Sequence, residues 1–145
     1  MNKFWIGCAL TCALSPLIAG CATGPGFDTM HAVEPALSAN EGRIYLYRQP
    51  SMGGLAVQPA IKINDVKVGD SVPGAYFYID EPPGTYKIST ATETEEAINA
   101  TLAAGQSRYI RFDISMGVLI GHVSPSIIDP EQATVEIRKC HYTKG

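Results

Sequence analysis

The sequence predicts an all-β domain, a two-sheet antiparallel β-sandwich of seven to eight strands with a short C-terminal helix. Three observations point there. Short β-branched and aromatic runs recur roughly every ten residues beyond position 42; Gly, Pro, Asn and Asp punctuate them; and within several runs two residue classes alternate with a period of two. About 100 residues of this kind suffice to enclose one core.

The chain has 145 residues, 14 acidic and 11 basic, for a formal net charge of −3. That fits one globular domain and gives no electrostatic reason for a nucleic-acid partner. Lys3 is the single charge of the first twenty residues, and residues 4–14 (FWIGCALTCAL) are apolar. The run is too short for a helix across a bilayer core of roughly 30 Å and has the layout of a secretory signal, here residues 1–20. Directly behind it, Leu17-Ile18-Ala19-Gly20-Cys21 resembles the bacterial lipobox. The resemblance implies cleavage before Cys21, diacylglycerol on its thiol and an acyl chain, typically palmitate, on the new amine. Two or three acyl chains hold a protein on a membrane durably, so the protein is expected to be anchored by lipid, not spanning. Ala22 follows the cysteine. In lipoproteins of this kind a residue other than Asp there implies the outer membrane, with the domain facing the periplasm.

Losing residues 1–20 removes Lys3, so 10 basic groups remain against 14 acidic, and anionic headgroups have no net charge to attract. Cys8 and Cys12 leave with the signal and Cys21 is acylated, which leaves Cys140 unpaired: either buried and inert, or a handle for an intermolecular bond. Residues 22–41 (ATGPGFDTMHAVEPALSANE) mix Gly, Pro, Ser and Asn with scattered apolar residues and show no sustained period. With Cys21 and Gly42 they are expected to form a flexible tether spanning about 25 Å, in which His31 is solvated.

The domain proper, residues 43–145, is expected to carry strands at 43–49, 60–64, 66–72, 75–80, 85–93, 95–102, 107–116 and 122–129. Asn64-Asp65, Pro82-Pro83-Gly84 and Ala104-Gly105 supply tight turns, and Gly84, behind two prolines of fixed φ, is expected at positive φ. Alternation assigns the faces. Ile44, Leu46, Phe77, Ile79, Ile110, Phe112, Ile114 and Met116 fall on aliphatic core faces; Tyr45, Tyr47, Tyr76, Tyr78, Tyr109, Arg111 and Asp113 fall opposite, and Tyr86 is a candidate to join the tyrosines. Asp129-Pro130-Glu131-Gln132 opens as a helix does, with a capping Asp, a proline in the first turn and Gln placed to close a capping box. Ala133, Ile137 and Cys140 then share a helical face, while Ala133, Val135 and Ile137 also fit a strand; helix is the expectation.

Three stretches form an ordered series: Gly42-Arg43-Ile44-Tyr45-Leu46-Tyr47-Arg48, residues 75–86 (AYFYIDEPPGTY), and Leu102-Ala103-Ala104-Gly105-Gln106 before Tyr109-Ile110-Arg111. Together they resemble the uncharacterised bacterial lipoprotein family filed as domain of unknown function 2846, over about 42–140. The Pro-Pro-Gly-Thr-Tyr turn alone also resembles PEGA-type surface domains. The resemblance implies an immunoglobulin-like or transthyretin-like sandwich of the cell envelope, and it brings no activity, catalytic residue or cofactor.

Catalytic patterns are missing from the sequence. There is no Gly-x-Ser-x-Gly elbow, no Cys-x-x-Cys and no His-x-x-x-His, and neighbours such as Cys140 and His141 point apart in a strand or helix. The acids at Asp80-Glu81 and at Glu93, Glu95 and Glu96 lie on turns, where a glycosidase pair in a sugar-sized cleft is rarely built. No metal and no cofactor is expected.

Two features remain. Tyr45, Tyr47, Tyr76 and Tyr78, with Arg48 nearby, either form a platform that stacks on a glycan or docks a partner, or lie beneath a tether or helix. The exits of two strands repeat one composition, Ser51-Met52-Gly53-Gly54-Leu55 and Ser115-Met116-Gly117-Val118-Leu119-Ile120. If those strands run the same way, Met52, Leu55, Leu119 and Ile120 crown one end as apolar contact loops; otherwise the loops fold back as a lid. The expected function is a non-catalytic binding or scaffolding module of the envelope. Its partners are the membrane, through lipid, and an envelope protein; the alternatives are a glycan or peptidoglycan ligand or, further off, a hydrolase.

Overall fold

The computed structural model describes residues 22–116 and 121–145, so Cys21, Leu119 and Ile120 lie outside the described residues. Two sheets face each other. Strands β1 (Gly42–Tyr47), β4 (Ala75–Glu81), β7 (Ser107–Met116), β8 (Gly121–Ile128) and β9 (His141–Tyr142) form one, in the order β8-β7-β1-β4-β9. Strands β2 (Ala60–Ile63), β3 (Val66–Asp70), β5 (Gly84–Ala91) and β6 (Glu95–Leu102) form the other, in the order β3-β2-β5-β6. Helix α1 (Phe27–His31) and helix α2 (Pro130–Ile137) complete the elements. No helix among the described residues is long and apolar enough to cross a membrane.

The eight expected strands are present, and β6 and β7 begin and end where the sequence puts them. The pairing is less uniform than expected. β1 runs parallel to β7 and β4 parallel to β9, so the five-stranded sheet is mixed, while the four-stranded one is antiparallel. Asn64 and Asp65 turn β2 into β3 with φ of 48° and 67°, the left-handed pair that a two-residue hairpin needs.

Period-two alternation divides the apolar residues of the five-stranded sheet between two cores. Ile44, Leu46, Phe77, Ile110, Phe112 and Val123 point inward and meet Ile61, Ile63, Ile88, Ala100 and Leu102 of the other sheet. Tyr45, Tyr47 and Tyr76 point outward into a second core with Phe27, Ala133, Ile137 and Cys140. Two face assignments and one turn need correction. Met116, the last residue of β7, is 96% exposed and takes no part in the core. Tyr86 packs against the first core from the four-stranded sheet, with its hydroxyl donating to the Pro82 carbonyl, and does not join the outer tyrosines. Gly84 is not among the glycines of positive φ, which are Gly54, Gly74 and Gly105 among the described residues. The reversal after the two prolines is made with Gly84 already in the extended strand.

Residues 130–137 are helical. Asp129 caps them by accepting from Glu131 N at 2.9 Å; Gln132 instead reaches Glu136, at 2.7 Å, and leaves the capping box open.

The stretch expected to be a free tether is built into the fold. Gly26 bridges to His141, the Tyr142 amide donates to the Pro25 carbonyl at 2.8 Å, and His141 Nδ1 lies 2.8 Å from the Gly24 carbonyl. From there α1 lays Phe27 over Tyr45 and Tyr76, and the chain reaches Glu34 and Pro35 beside Arg43 before entering β1. His31 keeps an exposed ring edge but stacks on Phe27, centroids 5.1 Å apart, with Nδ1 2.9 Å from Glu34. Phe27 and Met30 stand one helical turn apart, too short a run to register as a period. Residues 24–35 thus form a strap across the outer face of the five-stranded sheet.

Candidate functional site

The outer tyrosine layer is the first candidate. β1 and β4 pair Tyr45 with Tyr78 and Tyr47 with Tyr76, and β7 sets Tyr109 beside Tyr45, where the rings stack at 4.9 Å. This is the grouping the sequence anticipates, but not as an open platform. Tyr45, Tyr47 and Tyr76 are at most 2% exposed, covered by α1 and α2. A sugar has no access to stack on them. Tyr78, half-buried, has its ring under the Arg43 guanidinium, 4.3 Å from the centroid. The glycan-binding reading of Tyr45, Tyr47 and Tyr76 is therefore corrected to a structural one.

Their hydroxyls tie the covering elements down. Tyr45 Oη donates to Glu34 Oε2 at 2.7 Å, and Tyr47 Oη donates to Glu136 Oε2 at 2.7 Å. Arg43 binds Asp80 through two hydrogen bonds of 2.7 Å and also donates to Glu34 Oε2 at 3.0 Å and to the Pro35 carbonyl at 2.9 Å. Glu136 also accepts from Arg111 at 2.9 Å. Burial works against ionisation of Glu136, yet hydrogen bonds from Tyr47, Gln132 and Arg111 outweigh it and hold the carboxyl below its usual range. Burial raises the tyrosine phenols and pushes the Cys140 thiol up to about 12. Cys140 is thus the buried, free thiol of the two alternatives, with Sγ 3.4 Å from the Arg48 carbonyl.

Arg48 is likewise withdrawn from any carboxylate ligand. Buried, it donates to three carbonyls, Val57 at 2.6 Å, Ser71 at 3.0 Å and Gly54 at 3.0 Å, and so fixes the long β1–β2 loop from within. The sequence does not single out Glu34; an acid immediately before the helix-breaking Pro35 is a signal only once the strap is recognised.

The second candidate stays open. Because β1 and β7 are parallel, the loop after β1 and the end of β7 leave the same end of the sandwich. Met52 is 89% exposed there and Leu55 38%, and Met116 at the end of β7 is exposed as well. A cleft of about 370 Å³ opens between Pro50, Met52, Leu55, Pro73, His141 and Ala22. Gly54 makes the loop possible. At φ +69°, an added Cβ would lie 1.8 Å from Ile114 Cδ1. Among the described residues no group of three metal-ligating side chains comes together.

A family model described as "Protein of unknown function (DUF2846)" matches residues 38–126, from the end of the strap into β8. An uncharacterized protein of Haemophilus influenzae is 30% identical over 132 residues, covering 85% of this chain and 76% of that protein. No solved structure matches. The matched region holds the Arg43–Asp80 pair, Arg48 and the tyrosines of β1 and β4, the stretches on which the resemblance rested. The chain belongs to the DUF2846 family.

Proposed function

We propose that this is a lipid-anchored protein of the bacterial outer membrane whose periplasm-facing sandwich binds or scaffolds other envelope proteins without catalysing a reaction. The observation that carries the reading is the Leu-Ile-Ala-Gly-Cys series ending at Cys21, behind Lys3 and an apolar stretch. A second observation supports the non-catalytic part. The side chains best suited to chemistry, Arg43, Arg48, Tyr45, Tyr47 and Glu136, are bound to one another or to backbone carbonyls in holding the strap, the loop and α2. What remains for recognition is shape and apolar surface at the loop end.

Metabolic labelling with palmitate and fractionation of membranes test the anchor. The wild-type chain should carry label and sediment with outer membrane, and Cys21→Ser should be unlabelled and either unprocessed or soluble, since oxygen does not replace the thiolate nucleophile. An unlabelled wild type, or label that persists in Cys21→Ser, overturns it. Crosslinking in the intact envelope tests the scaffold. It should recover the same protein neighbour at the level of the chain itself, and crosslinks to none overturn that part.

A further inference from the structure

We propose that the end of the sandwich carrying Met52, Leu55 and the cleft beside Ala22 docks on the lipid bilayer. The proposal rests on the lipid anchor argued above and goes beyond it, because an anchor on a free tether would leave the domain's orientation open. The strap removes that freedom. Gly24, Pro25 and Gly26 are bound to His141 and Tyr142, so Ala22 is held at the edge of the cleft, and the residue to be acylated is its immediate neighbour. A lipid attached there draws this end to the membrane and no other.

What it meets the membrane with is suited to the purpose. Met52 is almost wholly exposed, Leu55 is exposed with it on the cleft, and Pro50 and Pro73 extend the apolar floor. Isolated exposed apolar residues are common, but a cluster around the attachment point is the arrangement of an interfacial contact. Exposed Lys139 and His141 rim the cleft within reach of headgroup phosphates. The acidic turn bearing Glu93 and Glu95 lies at the same end on the other sheet, where Glu93 meets His122, so the proposed contact is through the five-stranded sheet.

The test uses the chain's tryptophan content. Its single tryptophan is Trp5, in the segment removed on processing, so Met52→Trp gives the lipidated protein one reporter at the proposed contact and Ala104→Trp gives one in the exposed turn at the opposite end. Each lipidated variant is purified from membranes and bound to vesicles of phosphatidylethanolamine and phosphatidylglycerol with brominated acyl chains, with flotation and circular dichroism checked first. On docking, Met52→Trp fluorescence shifts to the blue and loses about half its intensity, as expected for a ring at the acyl boundary, while Ala104→Trp keeps both. Protein that floats with the vesicles yet shows no quenching at position 52 overturns the docking and leaves the anchor standing. A blue shift without quenching marks a protein occupant, such as a second copy, and also overturns it. Equal quenching at both positions overturns the orientation. Failure to float overturns the anchor and the docking together.

Discussion

Glu34 Oε2 lies 3.0 Å from Arg43 Nη1, and this contact joins the end of the strap to the first residues of the sandwich. Both side chains are nearly sealed from water, and Arg43 keeps Asp80 as a second carboxylate. Hydrogen bonding to Asp80 holds the guanidinium above its ordinary basicity in spite of burial.

Replacing Glu34 by Ala should therefore free the strap without stranding Arg43. The expected cost is about 2–3 kcal/mol, below that of breaking a wholly buried pair because Asp80 remains. Limited proteolysis should cut within residues 32–41 in Glu34→Ala and spare that stretch in the wild type. A mutant with an unchanged denaturation midpoint and cleavage pattern would show that α1 and Phe27 hold the strap alone.

Three glycines separate strain from space. Gly105→Val meets no neighbour but is forced to φ +71°, for a cost of about 1–2 kcal/mol. Gly54→Val adds a collision with Ile114 and should cost about 3 kcal/mol or more. Gly84→Val sits in extended backbone at an exposed position, with only ordinary contact to Tyr86, and should melt within about 0.5 kcal/mol of wild type. Thermal melts of the three check the order.

How far the sequence carries is visible in these same elements. β6 and β7 were legible to the residue because their alternation is long and bounded by turn residues. The strap and β9 were not. Five helical residues and a two-residue strand show no period, and what orders them is contact with residues far away in sequence, Gly26 with His141 and Glu34 with Arg43. Gly84 differs for the opposite reason: a local rule about proline and glycine predicts positive φ where the strand already dictates extended backbone. Alternation put Tyr45, Tyr47, Tyr76 and Tyr78 on one face, but a face carries no sign of what covers it.

Tyr76→Phe should be neutral or stabilising by about 1 kcal/mol at neutral pH, because its hydroxyl is buried and finds no partner among the described residues. Tyr47→Phe should cost about 1–2 kcal/mol, since it removes a hydrogen bond to the buried side of Glu136. Urea midpoints of the two mutants falling in the reverse order would contradict the assignment.

Alkaline pH should weaken the fold. Burial raises Tyr45, Tyr47 and Tyr76 and puts Cys140 at about 12, whereas in the unfolded chain thiols ionise near pH ~8.5 and phenols near pH ~10. Above those unfolded values the folded state holds more protons than the unfolded one, so stability falls as pH rises and is fully present below about pH 8. Urea midpoints should be level up to that point and drop beyond it. Cys140 should react with a thiol reagent near pH 8 only as fast as the protein unfolds.

The bond between residues 24–26 and 141–142 also gives the polypeptide an order of events. The strap leaves the ribosome well before the strand it pairs with. Until His141 and Tyr142 arrive, the Pro25 and Gly74 carbonyls lack their amide donors and Tyr76 its neighbour Tyr142. The outer aromatic core is thus sealed only once residues 141–142 have been made, which makes their arrival a condition for its final folded form.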